Sequence, residues 1–281
     1  PTYSLAFSSC PNDTFIFKAI HRERIDLKGY SFNFFMEDVE TLNQNAAKGK
    51  YDITKLSFAA FGKRQHQYAL LRSGSALGEG CGPLVISLPN RKLDDSQTPR
   101  IAVPGLGTTA YHLFEFFMAD EFKAIQPIII PMPFEQIMPA VQNKDVDFGV
   151  IIHEGRFVYP DLGLILQTDL GQWWEDQTRL PIPLGCIAIR RSIHVDTARD
   201  IETLIRQSIN HGFAHPDMDA DYIRTHAQEL SDDVIQQHIE LYVNDYSRQI
   251  GEKGEKAVSA FFEKAVQAGL MEPSDLPLFA C

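Results

Sequence analysis

Short apolar runs alternate with amphipathic segments along most of this 281-residue chain, and this alternation constrains the fold more than any other feature. A buried parallel strand is a near-continuous apolar run, whereas a surface helix repeats apolar residues every three to four positions. A polar stretch, 91–98, separates two series of such units. The pattern predicts an α/β chain in two lobes. Residues 1–92 and 187–281 would form a discontinuous first lobe with the C-terminal helices, and residues 99–184 the second.

Two general rules place a ligand in such a chain. Open α/β sheets bind ligands beyond the carboxyl ends of their strands, and clefts between lobes favour small-molecule sites. The formal net charge of −11 repels phosphate backbones and anionic lipid, and no run of about 18 apolar residues predicts a membrane helix. We therefore expect a small anionic molecule in an interlobe cleft, and neither a nucleic-acid nor a membrane partner. A monomer and a homodimer both stay open.

The four cysteines, Cys10, Cys81, Cys186 and Cys281, form no C-x-x-C pair and match no zinc or cluster spacing. Free thiols in a reducing compartment are the simplest interpretation. The first residues lack the basic region and apolar stretch of a signal peptide. These features predict a cytoplasmic protein without a metal site.

Two strand-to-helix turns carry polar groups. In SSCPNDT, Asn12 or Asp13 can cap the following helix, and exposed N–H groups can face an anion; a plain capping turn explains the motif equally well. In VPGLGTT, the glycines let the backbone approach a ligand, and Thr108 and Thr109 add hydroxyls. Because G-x-G-x-x-G and G-K-[ST] are both absent, a carboxylate or enolate clamp fits better than a nucleotide loop. The alternative is an N-cap by either threonine.

Two further candidates lie in buried strands or at their ends. His153 follows the apolar run VII, where a histidine can act as a general base near neutral pH; a structural histidine bonded at the strand end is the alternative. Lys55 lies inside DITKLS and needs a ligand or a carboxylate if it is buried. Ser57 follows at the carboxyl end of that strand. An edge strand with Lys55 in solvent is the other possibility.

Taken in order, the segments SSCPNDTFIF, MEDVETLN, DITKLS, RSGSALGEGCGPL, VPGLGTTAY, GVIIHEGRFVYP and DLGQWWEDQTRLPIPLG resemble the 1,4-dihydroxy-6-naphthoate synthase family of the futalosine route to menaquinone. The likeness runs from about residue 5 to the final helix. It implies a periplasmic-binding-protein-like (type II) fold with two α/β lobes. It also implies conversion of cyclic dehypoxanthinyl futalosine to 1,4-dihydroxy-6-naphthoate, with release of a sugar-derived fragment and without a metal or an organic cofactor.

The resemblance also implies roles for individual residues. His153 matches the family's proposed proton acceptor. The expected substrate contacts are Lys55, Leu56, Ser57, Thr108, Thr109, Asn12 and Asn43. In the resulting hypothesis neutral His153 removes a proton next to a carbonyl, and nearby hydroxyl and N–H groups stabilise the oxyanion that develops. Ring opening and elimination then lead to the aromatic product.

Three rival functions remain open. Chorismate dehydratase belongs to the same pathway and has the same fold, but the SCPNDTF and VIIHE segments favour the naphthoate synthase. A non-enzymatic solute-binding protein would bind without turnover and would usually carry an export signal. A regulatory ligand-binding domain is the third possibility, and the chain has no spare length for a DNA-reading module.

Overall fold

A computed structural model describes residues 1–227 and 231–281. Its strands alternate with helices as the apolar pattern predicts. The strands are β1 (Thr2–Phe7), β2 (Ser31–Met36), β3 (Ile53–Ser57), β4 (Tyr68–Leu70), β5 (Ala76–Gly78), β6 (Leu84–Ser87), β7 (Arg100–Val103), β8 (Ile128–Pro131), β9 (Phe148–Ile151), β10 (Ile165–Asp169) and β11 (Ile182–Arg190).

The helices of the described residues range from single turns to twenty residues. They are α1 (Pro11–His21), α2 (Val39–Ala47), α3 (Phe58–Gly62), α4 (Thr109–Glu121), α5 (Phe134–Gln142), α6 (Gly155–Val158), α7 (Leu170–Thr178), α8 (Val195–Ala214), α9 (Ala220–His226), α10 (Asp232–Tyr242), α11 (Asp245–Arg248) and α12 (Gly251–Gln267). None of them is long and apolar enough to cross a membrane.

The first sheet has the strand order β2-β1-β3-β11-β4, with β5 pairing along the other half of β11. Strands β1, β2 and β3 run parallel, and β11 runs antiparallel to β3. Strand β3 is buried along its whole length, since α2 and α3 cover it. Helices α1, α8 and α10 pack together against this sheet, and their apolar faces bury residues such as Phe17, Ile205 and Ile239.

The second sheet has the order β10-β6-β9-β7-β8. Strands β7, β8 and β9 run parallel, and β6 runs antiparallel to β9 and β10. Helix α5 packs on β9 and β7, and α4 contacts both β9 of this sheet and β11 of the first sheet. The core that results is continuous from the second sheet through α4 and α7 to α12.

The sheet pairing corrects the predicted lobe boundaries. Strand β6, residues 84–87, pairs in the second sheet rather than in the first. The chain therefore crosses between β5 and β6, and the polar stretch 91–98 connects two strands of the second sheet. The return crossing starts at Ile182, before the predicted residue 187, because β11 is longer than its apolar run suggested. An apolar run marks a buried strand but does not say which sheet receives it.

Candidate active site

One cavity lies at the carboxyl ends of parallel strands from both sheets, as expected for this class of fold. Its empty volume is about 640 Å³ when the open mouth is included. Six of the eight predicted site residues line it: Asn12, Lys55, Ser57, Thr108, Thr109 and His153. The lining also includes Ser8, Asp13, Cys81, Ile152, Leu184, Gly185, His238 and Tyr242.

Lys55 is buried on β3, with 4% of the residue exposed, and its ammonium has the carboxylate partner that burial requires. Nζ lies 2.7 Å from Oδ1 of Asp13. Gly185 on the neighbouring strand makes room for the lysine, because a Cβ at that position would lie 2.9 Å from Cε of Lys55. The alternative of an edge strand with Lys55 in solvent is therefore wrong.

Asp13 holds the turn after β1 together instead of capping α1. Its Oδ2 accepts hydrogen bonds from the hydroxyl of Ser8 at 2.7 Å and from the backbone N–H of Ser8 at 3.2 Å. The N-cap of α1 is Cys10, with Pro11 at the first helical position. The prediction that Asn12 or Asp13 caps this helix is wrong, because proline is favoured at the first position and starts the helix earlier.

Two hydrogen bonds with Asn43, which lies outside the cavity, position Ser57. Oδ1 of Asn43 accepts the backbone N–H of Ser57 at 3.0 Å, and Nδ2 donates to the Ser57 hydroxyl oxygen at 3.2 Å. The hydroxyl hydrogen of Ser57 stays available for a ligand. Asn43 itself does not line the cavity, so the geometry offers no support for its predicted direct contact with substrate.

Leu56 does not line the cavity either. Successive side chains of a strand point to opposite faces, and Leu56 therefore packs into the hydrophobic core while its neighbours Lys55 and Ser57 face the cavity. The resemblance implied a substrate contact at Leu56, and in this arrangement its side chain is turned away from the cavity.

The two threonines at the start of α4 use their hydroxyl groups within the protein. Thr108 is the N-cap: its Oγ1 accepts the N–H of Tyr111 and donates to the carbonyl of Gly105. The Thr109 hydroxyl donates to the carbonyl of Leu184 at 2.8 Å. What α4 offers to the cavity is therefore its first N–H groups, which have no acceptor inside the helix and attract anions.

His153 lies two residues beyond the end of β9, at the edge of the cavity. Its backbone is left-handed, with φ of 54°, a conformation that non-glycine residues adopt mainly where the surrounding structure imposes it, often at functional sites. The Nδ1 atom lies 3.4 Å from Sγ of Cys10. Among the described residues no hydrogen-bond partner reaches Nε2, so the interpretation as a fully satisfied structural histidine does not hold.

Burial is the largest influence on the pKa of His153 and lowers it below the ordinary value of 6.5. Lys55 lowers this pKa further, whereas Glu154, Asp13 and Asp38 partly oppose the shift. The pKa of the Cys10 thiol is raised, first by burial and then by Glu154. Near neutral pH the site therefore presents a neutral imidazole beside a protonated thiol.

Two residues of α10 complete the wall opposite His153. His238 has its ring nearly parallel to that of His153, with centroids 6.3 Å apart. Tyr242, one turn further along, packs against His238. Sequence reasoning missed His238, because it lies between two core isoleucines of an amphipathic helix and nothing local distinguishes it. Asp13 could have been found, since a buried lysine calls for a carboxylate and the SSCPNDT turn contains one.

Among the residues that the structure describes, one trio, Cys10, His153 and Glu154, brings three potential metal ligands within 4.8 Å of one another. A thiol binds a metal as the thiolate. The raised pKa of Cys10 disfavours that form. In the metal-free protein this thiol therefore keeps its proton, which a metal would have to displace.

Comparison with known proteins gives consistent results over nearly the whole chain. A family model described as menaquinone biosynthesis matches residues 3–267. A Thermus thermophilus protein named 1,4-dihydroxy-6-naphthoate synthase is 44% identical over 275 residues, which cover 98% of each chain. A Streptomyces coelicolor protein with the same name is 38% identical, with 96% of this chain and 95% of that protein covered.

Solved structures agree on the architecture. A crystal structure of an Archaeoglobus fulgidus protein matches with a TM-score of 0.88 and 32% identity, covering 96% of this chain and 98% of that chain. A Candida albicans protein, described as having the generic periplasmic binding protein fold, matches with a TM-score of 0.67 at 16% identity and covers 98% and 92% of the two chains. The predicted periplasmic-binding-protein-like fold is confirmed.

Proposed function

Because this chain belongs to the menaquinone biosynthesis family, and two relatives that match it over nearly their full length are named 1,4-dihydroxy-6-naphthoate synthase, we propose that it converts cyclic dehypoxanthinyl futalosine to 1,4-dihydroxy-6-naphthoate with His153 as the general base. The reaction makes it a lyase of menaquinone biosynthesis. The proposal concerns an anionic small-molecule substrate bound in the cavity between the two sheets.

The observation that carries the proposal is the placement of His153 opposite a set of donors. Its Nε2 has no protein partner among the described residues, and the hydroxyl of Ser57 and the start of α4 line the same cavity. A carbonyl held by such donors acidifies the adjacent C–H, because they stabilise the negative charge that develops on oxygen. The positive charge of Lys55 is already balanced by its ion pair with Asp13. The substrate carboxylate therefore fits better against the N–H groups of α4 than against Lys55.

The tautomer of His153 matters for this chemistry. For Nε2 to take a proton, Nδ1 must carry one, and the neighbouring atom is Sγ of Cys10. A thiol sulfur is a weak acceptor, and burial keeps the Cys10 thiol protonated, so the sulfur does not remove the proton from Nδ1. The proton that His153 receives can then be returned during the elimination that opens the ring. Closure around the substrate would exclude water and hold the groups in place.

The direct test is to incubate the purified protein with cyclic dehypoxanthinyl futalosine and to follow the naphthoate product by absorbance and mass spectrometry. Chorismate is offered in parallel, since a dehydratase of the same fold is the strongest rival. We expect turnover of the cyclic substrate alone. Turnover of chorismate alone, or tight binding of the cyclic compound without any product, would overturn the proposal.

The pH dependence of kcat/KM provides a second prediction. The base acts in its neutral form, which predominates above the pKa of His153, and burial holds that pKa below 6.5. Since kcat/KM reports groups of the free enzyme, we expect it to fall as the pH drops through a midpoint below 6.5 and to be level around neutral pH.

The variant Glu154→Gln sharpens this test. The Glu154 carboxylate raises the pKa of His153, so its neutralisation should move the acid midpoint of kcat/KM to still lower pH. An acid limb that stays in place in this variant would assign the titration to another group.

The remaining features of the proposal follow from the chemistry of the chain. We place the enzyme in the cytoplasm, and the four cysteines support this, because all are free thiols of the kind that reducing compartments preserve. Either a monomer or a homodimer fits the proposed site.

A further inference from the structure

His238 is a buried histidine for which the proposed mechanism has no use. It lies on α10 with 1% of the residue exposed, and its ring forms part of the cavity wall. Nε2 lies 3.0 Å from Oδ1 of Asn12. Nδ1 is buried and has no hydrogen-bond partner among the described residues. A buried polar atom without a partner is costly, so such atoms call for an explanation.

The direction of the hydrogen bonds around His238 is set by Asp13. The carboxylate beside the Lys55 ammonium only accepts hydrogen bonds. Asn12 must therefore turn its amide nitrogen toward it, and Nδ2 lies 2.9 Å from Oδ1 of Asp13. The carbonyl oxygen of Asn12 then faces His238 and accepts from Nε2. The proton of the neutral ring is thus held on Nε2.

The opposite nitrogen is consequently left as an acceptor. Burial is the main cause that lowers the pKa of His238 well below the ordinary value, and the nearby Lys55 ammonium adds to it, so the ring is neutral. A neutral imidazole protonated on Nε2 presents a lone pair on Nδ1. Nδ1 is closed to water in the unliganded protein, so a donor reaches it only when the groups that cover it move aside as a ligand binds.

We propose that Nδ1 of His238 accepts a hydrogen bond from a hydroxyl group of the sugar-derived part of the substrate, in a tautomer fixed by the chain Lys55–Asp13–Asn12–His238. This assignment rests on the proposed function, because hydroxyl groups are the donors that such a substrate offers. The near-parallel rings of His238 and His153 place this contact beside the proposed base. Its role is to orient the sugar-derived part while His153 reacts.

The test pairs two variants with altered substrates. His238→Gln keeps a donor near the position of Nε2 but lacks the Nδ1 acceptor, whereas His238→Asn keeps an acceptor near the position of Nδ1. Each is assayed on cyclic dehypoxanthinyl futalosine and on analogues that each lack one hydroxyl of the sugar-derived part. We expect the glutamine variant to lose about 5- to 100-fold in kcat/KM on the full substrate, and the asparagine variant to lose less.

The decisive comparison is between the loss of kcat/KM caused by His238→Gln and the loss caused by removing one hydroxyl from the substrate. For one analogue, wild type and His238→Gln should have nearly equal kcat/KM, because the same hydrogen bond is missing in both. If the fold losses in kcat/KM from the variant and from the missing hydroxyl multiply for every analogue, His238 pairs with no hydroxyl. The inference then fails, while the proposed function stands. If wild type does not turn over the full substrate, the proposed function fails and this contact fails with it.

A measurement on folded protein with His238 intact makes the test independent of these variants. His153→Asn is expected to bind the substrate and turn it over slowly. In that protein the ¹⁵N resonance of Nδ1 of His238 should move upfield when the full substrate is added, as it does when such a nitrogen accepts a hydrogen bond. A resonance that does not move at saturating substrate would overturn the inference.

Discussion

The variant His153→Asn is expected to lower kcat by about 10²- to 10⁴-fold, the contribution of a positioned general base. Asparagine is a suitable replacement, because it adopts the left-handed conformation that His153 occupies more readily than most residues do. The backbone at the end of β9 should therefore keep its shape. Steady-state kinetics on the cyclic substrate, with KM determined separately, measures the effect.

A matched variant separates loss of the base from loss of a histidine in general. His66 is exposed and far in sequence from the proposed base, so His66→Asn should retain the activity of the wild type. A fall in kcat of less than about tenfold in His153→Asn would be too small for a general base and would remove His153 from that role.

The second large effect concerns stability. In Lys55→Met the carboxylate of Asp13, which is 1% exposed, loses its ammonium partner and keeps only its neutral donors. Removal of one partner from a buried ion pair typically costs about 3–5 kcal/mol. We expect the free energy of unfolding, measured by urea denaturation with an unchanged slope, to fall by about that amount.

Two further variants test the cause. In the double variant Asp13→Asn with Lys55→Met no uncompensated charge remains, so it should be more stable than Lys55→Met alone. Lys50 forms an ion pair with Glu37 at 3.0 Å on the surface, and Lys50→Met should change stability little because solvent screens that pair. Equal losses in the Lys50 and Lys55 variants would show that burial of the Lys55–Asp13 pair is not what matters.

Much of the candidate site was accessible from local patterns. His153, Lys55 and Ser57 each lie in or just after an apolar run, and the carboxyl ends of parallel strands converge in this class of fold. The apolar pattern did not show which of several neighbouring residues on one strand face the cavity. Leu56 was grouped with its neighbours by resemblance, although the alternation of side chains along β3 turns it into the core.

Hydrogen-bond use was harder to predict than position. Thr108 and Thr109 do line the cavity, but their hydroxyls bond to Gly105, Tyr111 and Leu184 within the protein. The sequence pattern of a threonine before a helix is the same whether the threonine caps that helix or contacts a ligand. Only the geometry of the acceptors around it separates the two.

The amino-acid sequence by itself determined the α/β alternation, the class of the fold and the strand-end positions of the site residues, because hydrophobic periodicity and turn chemistry act between near neighbours. The tertiary structure decided which sheet receives β6, which carboxylate neutralises Lys55, and that Cys10 and His238 lie beside the proposed base. These depend on contacts between residues far apart in the chain: 143 positions separate Cys10 from His153, and 226 separate Asn12 from His238. No local pattern encodes such pairs, since they form only when both sheets and the C-terminal helices pack together.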